Sequence, residues 1–321
     1  MLNEADRLPD NENPRCDYCD QNSFSSKFKS NTSLMITHAN IRSFNSNFDE
    51  LAAYLDSLSK TIDVLVLSET WFSPDNTVQI EGYTDYHTVR PMQQGGGVSI
   101  YVKNSLASSL ISDLNNNIND TFESLADRIK ISRTTSIDVI GVYRPPKRNL
   151  VIPFIEELND MLSNRAIGRN VYVLGDFNID LLDLDNNGVA FVDSMKGMAF
   201  LPLISLPTRD SAKPSLLDHI WTNDVQDIDC GILLSKATDH YPVFLVIEIP
   251  VEHATIKKSF RDHSFINLVS LKYKLSNFLN SFDIFDNLNV EERCNIFIEN
   301  FTQIYQSCCP VREKNYICKQ T

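Results

Sequence analysis

Short apolar runs separated by turn residues fill the chain over 33–249. SLMITHAN (33–40), DVLVLSET (63–70), NVYVLGD (170–176) and YPVFLVIEI (241–249) are apolar at successive positions, so both faces need cover, the mark of central strands. YTDYHTVR (83–90), GGGVSIYVKNSL (95–106), a run around 122–134, IDVIGVYRPP (137–146) and LLDHIWT (216–222) read as further strands. Between them the spacing becomes helical. Phe48, Leu51, Ala52, Leu55 and Leu58 line one face, and Phe154, Ile155, Leu158, Met161 and Leu162 another, on a helix from 153 to about 163. Pro153 suits that helix's first turn. A short helix is expected near 188–198.

The pattern changes at both ends. Residues 1–32 are polar, with almost no apolar periodicity, and predict a disordered or loosely attached tail. Pro250 closes the strand-rich region. Beyond it Leu268, Leu271, Leu275, Phe278 and Phe282 mark one amphipathic helix. Cys294, Phe297, Ile298, Phe301, Ile304, Tyr305 and Cys308 mark a second. The division predicted is therefore a tail (1–32), a main domain (33–250) and a helical extension (251–321). The triple glycine at 95–97 has no Gly-Lys-Ser/Thr after it and leads into a β-like run, so a strand-entry turn is expected, not a phosphate loop.

Several strands break the apolar rule at their ends. Leu34, Ile36 and His38 lead to Asn40; Leu65 and Leu67 lead to Glu69; Val139 and Gly141 lead to Tyr143; Tyr172 and Leu174 lead to Asp176, with Asn178 beyond. Asp218 shares a face with Leu216 and Ile220, and Asp239-His240 precede the last strand. Side chains alternate across a strand, so each polar group continues an apolar face, predicted to be the inner one where two sheets meet. Taken singly, each has a bland reading as a turn or cap residue. Together they describe carboxylates gathered at one rim, and buried unpaired carboxylates are costly unless a cation is shared. An oxygen-rich set without cysteine suits Mg²⁺ or Mn²⁺, and a histidine beside a carboxylate suits acid–base work or phosphate neutralisation.

Charge and cysteine content refine this picture. The net charge of −13 does not advertise a nucleic-acid binder but fits a cation site. Arg42, Arg144, Lys147, Arg148, Arg209 and Lys213 lie near the polar motifs in sequence and could form a local basic rim for phosphates. No apolar run reaches eighteen residues, so no membrane span is expected, and the first thirty lack a secretory h-region. Seven scattered cysteines point to a reducing, intracellular setting, nucleus or cytoplasm. CDYC (16–19) lacks the second pair a zinc site needs and reads as free thiols in the tail.

The ordered set Asn40 in HANIRS, Glu69 in LSETW, Tyr143 in VYRPP, Asp176 and Asn178 in GDFN, Asp218 in LLDHI and Asp239-His240 in TDH resembles the endonuclease/exonuclease/phosphatase superfamily, the deoxyribonuclease-I-like fold. The wording is most similar to the apurinic-type endonuclease domains of non-LTR retrotransposon polyproteins. The resemblance implies a four-layer α/β sandwich, two packed mixed β-sheets flanked by helices, followed here by the helical appendage. It also implies roles. Glu69 with Asn40 would hold the metal, with Asp239 assisting. Asp176 would orient or deprotonate the attacking water, Asn178 would contact the scissile phosphate, and Tyr143 would donate to it. His240, positioned by Asp218, would stabilise the transition state. Thr208, Arg42, Arg144 and Thr238 would contact DNA, Thr238 standing where the family often has serine.

The leading expectation is thus a Mg²⁺-dependent endonuclease nicking DNA to leave a 3′ hydroxyl for target-primed reverse transcription. A reverse transcriptase segment is expected to be missing from this chain, which reads as a fragment or truncated copy. Two alternatives stand beside it: a same-fold hydrolase of another phosphoester, and an inactive domesticated binding module.

Overall fold

Runs apolar on both faces become the centres of two β-sheets. The computed structural model describes residues 16–28, 33–90, 95–115, 121–132, 134–163, 169–226, 228–248, 255–261, 266–285, 287–309 and 311–317. The chain divides into two compact units, Met1–Pro250 and Val251–Thr321.

In the first unit the strands are β1 (Cys16–Cys19), β2 (Ser33–Asn40), β3 (Val64–Ser68), β4 (Tyr83–His87), β5 (Val98–Lys103), β6 (Ala107–Leu110), β7 (Glu123–Lys130), β8 (Ser136–Tyr143), β9 (Asn170–Asp176), β10 (Leu201–Pro202), β11 (Asp218–Thr222), β12 (Asp229–Leu233) and β13 (Val243–Glu248). A seven-stranded sheet runs β1-β12-β13-β2-β3-β5-β4, and a six-stranded sheet runs β10-β11-β9-β8-β7-β6. Both are mixed: β2–β3 and β8–β9 are parallel, whereas β13–β2 and β11–β9 are antiparallel.

Three apolar layers hold the sandwich. Between the sheets, Leu34, Ile36, Val64, Val66 and Ile100 meet Leu125, Val139, Tyr172, Leu174 and Ile220. Outside the six-stranded sheet, helices α3 (Val151–Leu162) and α4 (Asn186–Gly197) set Phe154, Leu158, Phe191 and Met195 against Val142, Val171, Val173 and Trp221. Outside the seven-stranded sheet, α1 (Gln21–Lys27) and α2 (Phe44–Asp56) set Phe24, Phe44, Leu51 and Leu55 against Met35, Leu65, Leu67 and Phe244. This is the expected four-layer sandwich.

Residues 16–28 correct the loose-tail reading. β1 pairs in parallel with β12, Cys16 opposite Cys230 and Cys19 opposite Leu233. Phe24 and Phe28 are buried, each edge-on to Phe244. The CDYC cysteines therefore lie on a sheet edge, with Cys19 buried. Two phenylalanines four residues apart suffice to anchor a short segment that is otherwise polar. Residues 1–15 and 29–32 lie outside the described residues.

In the second unit, the two expected helices are α5 (Leu268–Asn280) and α6 (Val290–Cys308). Asn289 caps α6 through a reciprocal box with Glu292. The unit also holds an antiparallel pair absent from the helical expectation, β14 (Thr255–Arg261) with β15 (Val311–Ile317).

Candidate active site

The polar strand ends meet at one rim of the sandwich. Parallel pairing puts Asn40 at the tip of β2 beside Ser68 at the tip of β3. In the other sheet, Tyr143 on β8 pairs with Asp176 on β9, which pairs in turn with Asp218 on β11. Gly175 makes that register possible, because a Cβ there would fall 1.8 Å from the Val142 carbonyl oxygen.

The inner-face alternation holds for Asn40, Tyr143, Asp176 and Asp218, since Leu34 and Ile36, Val139, Tyr172 and Leu174, and Leu216 and Ile220, at the same parity on their runs, lie between the sheets. It fails for Glu69. The inner residues of β3 are Val64 and Val66, while Leu65 and Leu67 face α2. Strict alternation would send Glu69 outward. Instead β3 ends at Ser68, and Glu69 takes a left-handed φ of 53° that turns its carboxylate to the rim. Asn178 does the same after β9, with φ 49°.

Asn40 is the hinge of the cluster. Its Nδ2 donates to Glu69 Oε1 and to Asp176 Oδ2, both at 2.8 Å. Asn178 donates from its backbone N to Asp176 Oδ1 and from Nδ2 to Asp176 Oδ2, each at 3.0 Å. On the other side His240 Nδ1 donates to Asp218 Oδ2 at 2.8 Å, an oxygen that also accepts from Thr208 Oγ1 at 2.9 Å. Asp176, Asp218 and His240 each bring one donor atom within 4.8 Å of the others.

The electrostatics follow from burial and proximity. Burial, then the Asp218 charge, pushes the Asp176 carboxyl up to about 7. Burial opposes the charged form of His240, but the Asp218 carboxylate outweighs it and lifts the imidazole to about 9. Burial would raise Asp218, but the His240 charge and hydrogen bond, with the Thr208 hydrogen bond, hold it below the usual carboxylate range. Burial raises the Tyr143 phenol above its ordinary value, so it remains a donor.

The remaining expected site residues are placed less simply. Asp239 is gripped by two arginines, Arg42 Nη1 at 2.7 Å and Arg209 Nε at 2.9 Å. Three readings as DNA contacts do not fit. Arg144 is 2% exposed, and its guanidinium donates to the carbonyls of Phe177, Asn178 and Lys147 at 2.6, 2.7 and 3.1 Å. It clamps the Asp176–Asn178 turn, because a guanidinium can satisfy three carbonyls at once. Thr208 is fully buried, with its hydroxyl on Asp218. Thr238 Oγ1 lies 3.1 Å from both the Asn40 and the His240 carbonyl oxygens, its one proton serving either, and it accepts from the His240 N–H. These threonines fasten the site's backbone. The expected basic rim is also narrower than its sequence suggests, since Arg42, Arg209 and Lys213 are ion-paired to Asp239 and Asp183.

Residues to which the sequence reading gave no role complete the surroundings. His38 is buried, its Nε2 3.1 Å from Ser68 Oγ, and burial lowers it to about 4, so it is neutral. Its Nδ1 faces Asp218 Oδ1 at 3.7 Å; neither atom has a hydrogen-bond partner among the described residues. Glu123 accepts from Arg90 Nε at 2.6 Å and the Gly97 N–H at 2.7 Å, next to Tyr143 in register. The glycines at 95–97 all have positive φ, as a tight turn entering β5 requires. Trp71 donates from Nε1 to Glu69 Oε2 at 3.3 Å. His38 was already on the inner face by alternation; nothing in the sequence signalled Glu123.

The donor set fits a hard divalent cation. Asp176 and Asp218 bring oxygens within 4.8 Å of each other and of His240, Asn40 ties the Glu69 carboxylate to Asp176, and Asp218 Oδ1 is a buried oxygen without a donor among the described residues.

A model of the endonuclease/exonuclease/phosphatase family matches residues 37–240. Among solved structures, the endonuclease domain of TRAS1, a telomere-specific non-LTR retrotransposon, is 16% identical with a TM-score of 0.55, covering 68% of this chain and 99% of its own. An AP endonuclease from Archaeoglobus fulgidus is 17% identical with a TM-score of 0.53, covering 67% and 100%. A 3′-5′ exonuclease from Neisseria meningitidis is 16% identical with a TM-score of 0.51, at the same coverage. No curated protein matched the sequence.

Proposed function

The chain belongs to the endonuclease/exonuclease/phosphatase family, and from that premise we propose that it is a Mg²⁺- or Mn²⁺-dependent phosphodiesterase that nicks one strand of DNA. One observation carries this reading: Asn40, Glu69, Tyr143, Asp176, Asn178, Asp218 and His240 come from separate strand ends and converge on one rim. The retrotransposon-like wording of LSETWF, YRPP and GDFNIDLL supports a nick that leaves a 3′ hydroxyl to prime reverse transcription.

Glu69 and Asn40, with Asp176 close by, would hold the cation, which would supply neutralisation of phosphate charge. The chain's own groups do the rest. Asp176, near 7, can take a proton from water at neutral pH, and Asn178 and Asn40 fix its oxygens in place. His240, kept as imidazolium by Asp218, presents positive charge to the phosphoryl oxygens as negative charge builds there. The Tyr143 hydroxyl adds a neutral donor from the same rim. Asp239, bridged to Arg42 and Arg209, would steady the leaving side.

Purified protein with supercoiled plasmid and Mg²⁺ tests this. Wild type is expected to convert the plasmid to open circles, and Asp176→Ala and His240→Ala to lose about a hundredfold or more. No nicking by wild type, or nicking by both variants at the wild-type rate, overturns the proposal. If plasmid stays intact while a 3′-phosphorylated or 3′-recessed oligonucleotide is processed, the same site acts on strand ends.

A further inference from the structure

We propose that Trp71 is a stacking platform for a nucleobase next to the scissile phosphate, an inference that rests on the reading of the site as a DNA nuclease. Phe72, the next residue, is 5% exposed and packs 5.0 Å from Phe44. Trp71 is 39% exposed. It does not drift there on a loose loop. Its backbone N–H donates to the Gly96 carbonyl at 2.9 Å, the buried Thr70 precedes it, and φ at Trp71 is 57°.

A left-handed backbone is uncommon for a bulky residue and persists where surrounding contacts enforce it, often at functional sites. Here it occurs twice in three residues, at Glu69 and Trp71. The same twist that turns the Glu69 carboxylate to the rim holds the indole beside it, with Nε1 3.3 Å from Glu69 Oε2. Gly95 lies close by: a Cβ there would sit 3.9 Å from Trp71 Nε1.

The charge distribution says what this aromatic surface is for. The chain carries −13 overall, and Arg42 and Arg209 at the site are bound to Asp239. Two guanidiniums share the single Asp239 carboxylate, so little basic charge is left free for a phosphodiester, and an uncharged contact adds affinity that the net charge of the chain opposes. Base–aromatic stacking is such a contact and tolerates any sequence, because every base has a π-face. The indole N–H to Glu69 ties one edge of the ring to the site, and the side chain stays 39% exposed.

The chain has two tryptophans, and Trp221 is fully buried, so Trp71 is the indole that a soluble quencher reaches. The experiment pairs acrylamide quenching with the anisotropy of a labelled duplex oligonucleotide in Mg²⁺, using the full chain with Asp176→Ala so the strand stays intact. Oligonucleotide is expected to shield Trp71 from acrylamide. Trp71→Ala is expected to weaken binding by about ten- to a hundredfold, while Trp71→Phe, which keeps a stacking face but loses the donor, stays within about threefold. Trp71→Gln, which keeps a donor without a ring, should bind as poorly as alanine.

Unchanged affinity in Trp71→Ala, or rescue by glutamine and not phenylalanine, overturns the stacking role; the latter result would make Trp71 a holder of Glu69. Wild type that nicks plasmid while Trp71→Ala binds DNA equally well removes this inference alone. Wild type that neither binds nor nicks removes the nuclease reading and this inference with it.

Discussion

His240 holds its charge because Asp218 lies behind it. Burial alone would favour neutral imidazole, yet the carboxylate at 2.8 Å lifts it to about 9. A histidine with a raised native value adds stability that is complete below its ordinary value near 6.5 and is lost as pH climbs through 9. Asp176, lifted to about 7 by burial and then by Asp218, acts in the same direction, since its protonated form is favoured in the fold. Metal-free protein should therefore melt a few degrees lower at pH 9.5 than at pH 6.5. Asp218→Asn should flatten that decline, and an equal decline in both proteins would refute the coupling. Most members of this cluster were legible in the sequence, because a polar residue on an inner strand face is a visible exception. Glu69 was found for a wrong geometric reason. Its alternation points outward, and only the left-handed turn after Ser68, which no apolar period encodes, brings it in. Arg144 misled in the opposite sense: a charge next to a motif read as a DNA contact, whereas its donors serve backbone carbonyls.

At the scale of elements, long two-faced runs were legible and short edge pieces were not. β2, β3, β8, β9 and β13 are apolar on both sides and declare themselves. β6 and β10 lie at the sheet edges and span only four and two residues, too few for a period to register. β1 and α1 were hidden in polar surroundings and depend on Phe24 and Phe28 to dock against Phe244. Phe24 is fully buried, so Phe24→Ala should cost about 3–5 kcal/mol by deleting a packed ring. Thermal melting should show a fall of roughly 10 °C, with Asn22→Ala, on the exposed side of α1, unchanged. Equal melting of wild type and Phe24→Ala would mean that the segment is a detachable tail after all. β14 and β15 escaped for a different reason: a strand pair remote in sequence, over 255–261 and 311–317, has a register set by tertiary contact rather than by local pattern.

For the molecule as a whole, the decisive quantity is the negative charge gathered at one rim. The net charge is −13; Asn40 bridges Glu69 and Asp176 by hydrogen bonds, and Asp218 brings an oxygen within 4.8 Å of Asp176. In the native state Asp176 and Asp218 are buried with Glu69 half-buried beside them, and their mutual repulsion is only partly offset by His240; in the unfolded chain they are separated and hydrated. A divalent cation that binds the cluster should therefore favour the native state by mass action, by about 2.7 kcal/mol at a concentration one hundred times its dissociation constant. Simple screening would also relieve long-range repulsion, but it acts over the whole surface and saturates with monovalent salt. The two separate in one melting series. At matched ionic strength, Mg²⁺ or Mn²⁺ should raise the midpoint of wild type above that in NaCl. Glu69→Gln should lose most of the excess while keeping the NaCl response, because it removes one ligand charge and leaves the rest of the surface unaltered. If Glu69→Gln and wild type gain equally from Mg²⁺, the cation is acting on the surface at large, and Glu69 is not part of its site.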